Sequence, residues 1–100
     1  MKFTLNYSDE AKEDLKYLKK HPHLEKQYRA VTKALLRLSD DPKHPGLQTH
    51  EFTSIPHPYK NGEKVFEAYA QKRTPGAYRA FWCYGPEKGQ FTILAITPHP

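Results

Sequence analysis

The spacing of apolar residues divides the chain into stretches of different period. Near the start, Phe3 and Leu5 alternate with polar neighbours, the period-two signature of a short strand over residues 2–6. Ser8 then offers a side-chain oxygen to cap a helix, and Asp9 and Glu10 put negative charge in its first turn, where the helix dipole favours it. Ala11, Leu15 and Leu18 recur at helical spacing, and Lys19 and Lys20 suit the far end of the dipole. Pro22 disfavours helical backbone at His21, so the helix is expected to stop there. A second helix over roughly 24–38 carries the stripe Leu24, Tyr28, Val31, Leu35 and Leu38, with Glu25, Lys26, Arg29, Lys33 and Arg37 off the stripe. The short connection predicts an antiparallel helical hairpin.

Residues 40–64 have no period and carry Pro42, Pro45, Gly46, Pro56, Pro58 and Gly62. A loop this long inside a small domain is often functional, and Leu47, Phe52 and Ile55 are expected to pin it to the core. Period two then returns in three stretches, about 64–72, 77–84 and 90–97, separated by turn residues at 74–76 and 85–89. The order is β-α-α-β-β-β. It predicts a single α+β domain over residues 1–100, with the N-terminal strand and helical hairpin packed on one face of a small antiparallel sheet.

Alternation sorts the strand residues onto two faces. Phe66, Ala68 and Ala70 form an apolar set, opposed by Val65, Glu67, Tyr69 and Gln71. In the next strand Tyr78, Ala80, Trp82 and Tyr84 form the apolar set, opposed by Arg79, Phe81 and Cys83. An arginine seldom points into a core beneath helices, so Arg79 is expected on an open face beside Glu67, Tyr69 and Gln71. The last strand divides into Phe91, Ile93, Ala95 and Thr97 against Thr92, Leu94 and Ile96. His99 continues the parity of Thr97, past Pro98, and is expected at the edge of the open face.

Composition narrows the class. The chain has 100 residues, of which 37% are hydrophobic and 13% aromatic, enough for a small core. No apolar run approaches the ~20 residues that span a bilayer, and no membrane association is expected. The first ten residues lack the apolar stretch of a secretory signal, and the one cysteine, Cys83, excludes an internal disulfide framework. A cytoplasmic location is expected on both counts. The net charge of +5 suits a polyanionic partner such as RNA, DNA, the ribosome or an acidic protein. The histidines of "HPH" (His21, His23) and His57 lack the spacings of metal motifs, so neither a metal nor a cofactor is expected.

The element order, the loop "DPKHPGLQTH" (Asp41 to His50), "AYRAFW" (Ala77 to Trp82) and the terminal "ILAITPHP" (Ile93 to Pro100) together resemble the RelE/ParE toxin superfamily. The resemblance implies the toxin of a type II toxin–antitoxin pair, held by its cognate antitoxin in a possible hetero-oligomer. Many members are metal-independent mRNA endonucleases that act in the ribosomal A site. The family's "YR" arginine falls on Arg79, and the near-terminal histidine that serves one branch as acid falls on His99. Another common pattern places two lysines on the first meander strand. Here Glu67, Tyr69 and Gln71 stand there instead, with Lys64 and Lys72 at the other parity. ParE-like members share the fold and poison DNA gyrase, so a gyrase inhibitor and a non-catalytic binding module remain open alternatives.

Metal-free RNA cleavage starts with attack of a 2′-oxygen on the adjacent phosphorus. It requires a base for the 2′-proton, a cation for the phosphorane and an acid for the leaving 5′-oxygen. The candidates are Glu67 as base, Arg79 as cation and His99 as acid. Arg79 has a planar, permanently charged fork that fits phosphate oxygens; its alternative role is a salt bridge to Glu67 across the hairpin. Tyr69 could stack on a base or simply pack in the core. Lys60, Lys64, Lys72, Arg73 and His50 are the candidates for holding RNA phosphates.

Overall fold

The computed structural model describes residues 2–72 and 75–100. Its elements are β1 (Thr4–Tyr7), α1 (Asp9–Lys20), a 3-10 turn (Pro22–Leu24), α2 (Glu25–Asp40), a second 3-10 turn (Pro45–Leu47), β2 (His50–Glu51), β3 (Phe66–Tyr69), β4 (Tyr78–Tyr84) and β5 (Gln90–Pro98). The Ser8 hydroxyl accepts the Ala11 N–H at 3.0 Å, so the expected cap opens α1. At the other end His21 Nδ1 donates to the Tyr17 carbonyl at 2.7 Å and satisfies one of the last free carbonyls.

The sheet order is β1-β5-β4-β3-β2. The three long strands form the expected antiparallel meander. Two details differ from the pattern reading. The N-terminal strand joins the sheet as a parallel edge beside β5, with Leu5 opposite Phe91 and Phe3 stacked on Phe91 at 4.3 Å. The long loop also contributes the two-residue strand β2, too short to leave a period in the sequence.

One face of the sheet carries Ala68, Ala80, Trp82, Phe91, Ile93 and Ile96 against Ala11, Leu18, Val31, Leu35 and Leu38 of the helices. Every residue of the α2 stripe packs here or beside it. Leu47 reaches the same core from the long loop and is 1% exposed. Tyr84, expected in the core, is half exposed because it ends β4, and it meets Phe66, Trp82 and Phe91 in T-shaped ring contacts.

The second face is roofed rather than open. Phe52 packs on Phe81 at 4.5 Å, Ile55 is half-buried, and Tyr59 Oη bonds Thr92 Oγ1 at 3.0 Å while that hydroxyl donates to the Gly85 carbonyl. Phe81 and Cys83 make this face apolar in its middle, and the long loop supplies the aromatic cover.

The two faces do not keep the same parity along β5. Trp82 stands opposite Ile93, but Phe81 stands opposite Ala95, so Leu94 is an extra residue with no partner on β4. This β-bulge reverses the alternation beyond it. Phe91, Ile93 and then Ile96 face the helices, whereas Ala95 and Thr97 face the roof. Strict alternation groups Phe91 and Ile93 with Ala95 and Thr97, and the bulge breaks that grouping between Ile93 and Ala95.

Candidate active site

Glu67 sits in the middle of β3, between His50 on β2 and Phe81 on β4. Its side chain is 4% exposed, and it accepts one hydrogen bond on each oxygen. His50 Nε2 lies 2.6 Å from Oε1, and Arg79 Nη1 donates to Oε2 at 2.7 Å. A carboxylate this buried is tolerated because the Arg79 guanidinium and a contact on each oxygen replace its water.

Arg79 reaches Glu67 diagonally across the hairpin, since its own direct partner on β3 is Tyr69. The guanidinium carbon lies 4.8 Å from the centre of the Phe81 ring, a cation–π contact that supports the group from below. Its Nε is buried and has no hydrogen-bond partner among the described residues. The guanidinium therefore retains a donor that the fold does not use.

His50 is fixed from two sides. Its Nδ1 donates to the Gln48 carbonyl at 2.9 Å, and Gln48 holds a left-handed backbone with φ of 48°. Both ring nitrogens thus face oxygen atoms, the Gln48 carbonyl on one side and the Glu67 carboxylate on the other. Beyond His50 the rings form a row. Tyr69 lies 6.0 Å from His50 and 6.2 Å from His99, centre to centre. Tyr69 is 3% exposed, so its ring packs within the sheet and is not presented for stacking on a base, the first of the two roles expected of it. His99 holds its place because its N–H donates to the Ala77 carbonyl at 2.7 Å and its carbonyl accepts from Gly76 at 2.8 Å, extending the β4–β5 ladder past Pro98.

The site residues expected from sequence fall into two groups. Arg79, Glu67, Tyr69, His50 and His99 converge at one end of the sheet. Lys72 follows β3 at that same end, whereas Arg73 lies outside the described residues. Lys60 and Lys64 are at the other end. His57 ties the Lys60 N–H to the carbonyl of Tyr84, and Lys64 precedes the β3 residue that pairs with Trp82. Arg79 and Tyr84 stand five residue steps apart along β4, about 17 Å at the usual rise. Lys60 lies 3.6 Å from Glu63, and Lys64 lies 4.0 Å from Glu51.

Sequence reasoning missed the depth of Glu67. Expected as a base on an open face, it is buried with both oxygens engaged. It also missed that Thr97 stands directly opposite Arg79. Among the described residues no three His, Cys, Asp or Glu side chains gather as a metal site, and no helix is long and apolar enough to cross a membrane.

No protein-family model matches the sequence, and no curated protein matches it. Its backbone nevertheless matches solved structures along nearly its whole length. The RelE–RelB complex from Pyrococcus horikoshii OT3 superposes with a TM-score of 0.64 at 15% identity, covering 98% of this chain and 96% of that one. The YoeB/ParE toxin from Agrobacterium tumefaciens superposes with a TM-score of 0.68 at 7% identity, covering 97% and 99%. The toxin–antitoxin complex RelBE of E. coli gives 0.61 at 13% identity, covering 98% of each chain. At such identities the likeness is one of backbone, carried by the same strand–hairpin–meander order that the apolar pattern predicts. The chain has the fold of the RelE-, YoeB- and ParE-type toxins.

Proposed function

We propose that the protein is the toxin of a toxin–antitoxin pair and cleaves messenger RNA in the ribosomal A site without a metal. The observation that carries this reading is the convergence of Arg79, Glu67 and two imidazoles around Tyr69 at one end of the sheet. An incoming phosphate competes with Glu67 for His50. Exchange of that contact opens Oε1 of Glu67, which takes the 2′-proton. Arg79 neutralises the phosphorane from the opposite side of the carboxylate. His99 protonates the leaving 5′-oxygen. Lys72, with Arg73 beside it in sequence, extends the cationic surface along the RNA from the same end. Lys60 and Lys64 would meet ribosomal RNA farther away. The cognate antitoxin lays a helix or strand over the basic surface and keeps the toxin silent in the cytoplasm.

The test is induced expression with transcript mapping, comparing wild type, Arg79→Ala and His99→Ala. Cuts inside translated codons are expected in wild type and absent in Arg79→Ala. His99→Ala is expected to lower cleavage by about 10²-fold or more, the usual worth of a positioned proton donor. A second reading has its own observation: the charge of Arg79 is already compensated by a buried carboxylate, as suits a binding surface. Growth arrest with intact transcripts and damaged DNA would support that reading, with gyrase as the target.

A further inference from the structure

The extra residue Leu94 decides which face His99 occupies. Counting by twos from Ile93 would put residues 95, 97 and 99 on the helix face. With Leu94 unpaired, the same residues turn to the face of Arg79 and Tyr69. A bulge leaves ladder groups without strand partners, and these must be met elsewhere. On this side of β5 the neighbouring strand has already ended, since β1 pairs only as far as Tyr7 opposite Ile93.

The start of α1 meets those groups instead. The Ser8 N–H donates to the Ile93 carbonyl at 3.0 Å, the Ser8 hydroxyl donates to the Leu94 carbonyl at 2.8 Å, and Asp14 Oδ2 accepts the Ile96 N–H at 2.9 Å. Three points around the bulge, at Ile93, Leu94 and Ile96, are therefore held by a cap residue and a carboxylate one and a half turns into the helix. None of these residues faces the site.

We propose that Asp14 and Ser8 are positioning residues for His99. They hold the one-residue register shift of β5 and so place the imidazole beside Tyr69 from the far side of the strand. Their effect on cleavage rests on the nuclease reading above, but their effect on register does not.

The test reads register and activity separately. Aromatic NMR cross-peaks are measured in full-length isotope-labelled protein from cell-free synthesis. The His50–Tyr69 contact serves as internal reference and the His99–Tyr69 contact as the reporter. Asp14→Leu removes the acceptor. Asp14→Asn keeps an acceptor oxygen. Ser8→Asp keeps the helix cap but cannot donate to the Leu94 carbonyl.

The expected result is loss of the His99–Tyr69 cross-peak in Asp14→Leu and Ser8→Asp, its return in Asp14→Asn, and the His50–Tyr69 peak unchanged throughout. Transcript cleavage is expected to fall about 10²-fold with the reporter peak, as for loss of the acid itself. Should Asp14→Leu fail to fold, judged by Trp82 emission, Ser8→Asp is read alone. Persistence of the His99–Tyr69 peak in Ser8→Asp, or in a folded Asp14→Leu, overturns the proposal. If wild type cuts no RNA, the nuclease reading falls and the cross-peaks still decide the role of Asp14 and Ser8.

Discussion

At the scale of single residues, Glu67 has the most at stake. Removing it leaves Arg79 buried without its counter-charge, and breaking a buried pair in this way costs about 3–5 kcal/mol. Glu67→Ala is therefore expected to lose about that much stability in urea unfolding followed by the emission of Trp82, the one tryptophan. A loss below about 1 kcal/mol would mean that the guanidinium finds another partner. Cys83 makes a different prediction. Burial pushes its thiol up to about 11, opposed in part by a backbone hydrogen bond with Thr92. The folded protein thus holds a proton that the unfolded chain has released, so stability contributed by Cys83 is intact below about pH 9 and declines as pH rises toward 11. The folded thiol should also resist a disulfide reagent at pH 8 and react once urea unfolds the chain. The pairing of Glu67 with Arg79 was legible because β3 and β4 alternate without interruption. The place of His50 was not, because a two-residue strand in a proline-rich loop has no period to read.

At the scale of elements, the roof and the bulge separate pattern from structure. The run Ile93-Leu94-Ala95-Ile96 is apolar throughout, so alternation gave no sign of where parity changes. The irregularity is visible only through the ladder with β4. The roof likewise depends on contacts between distant residues, Phe52 with Phe81 and Tyr59 with Thr92. Gly85 turns the chain beneath Tyr59 at φ of 114°, and a Cβ there would approach the tyrosine ring to 3.3 Å. Gly85→Ala is expected to cost about 1–3 kcal/mol through backbone strain and to displace Tyr59, read as a lower melting temperature and increased Tyr59 iodination. Leu47 anchors the segment that leads to His50. Leu47→Ala should cost about 2–5 kcal/mol, with faster amide exchange over residues 44–52 than over β4.

At the scale of the whole molecule, the layered α+β arrangement was readable because each long element carries its own period and the turns are marked by Pro and Gly. The candidate RNA-binding lysines stand at two ends of the sheet, Lys72 at the site end and Lys60 and Lys64 at the other. RNA binding measured across a salt series should locate the footprint. Lys72→Ala is expected to flatten the dependence of log affinity on log salt by about 0.7, the value for one single-strand phosphate contact. Lys60→Ala should leave the slope for a short single strand unchanged.

The parallel pairing of β1 with β5 has a consequence for how the molecule is made. Ser8 bonds to Leu94, 86 residues away, and every β1 partner lies in the same late strand. Contacts this distant in sequence form late and slowly, because the intervening loop must close first. On a translating ribosome the helical hairpin can assemble early, but β1 waits with no strand on either edge until β5 emerges. The nascent chain therefore passes through a stage at which its apolar β1 and α2 surfaces are exposed together, the stage at which a chaperone or a partner strand would find it.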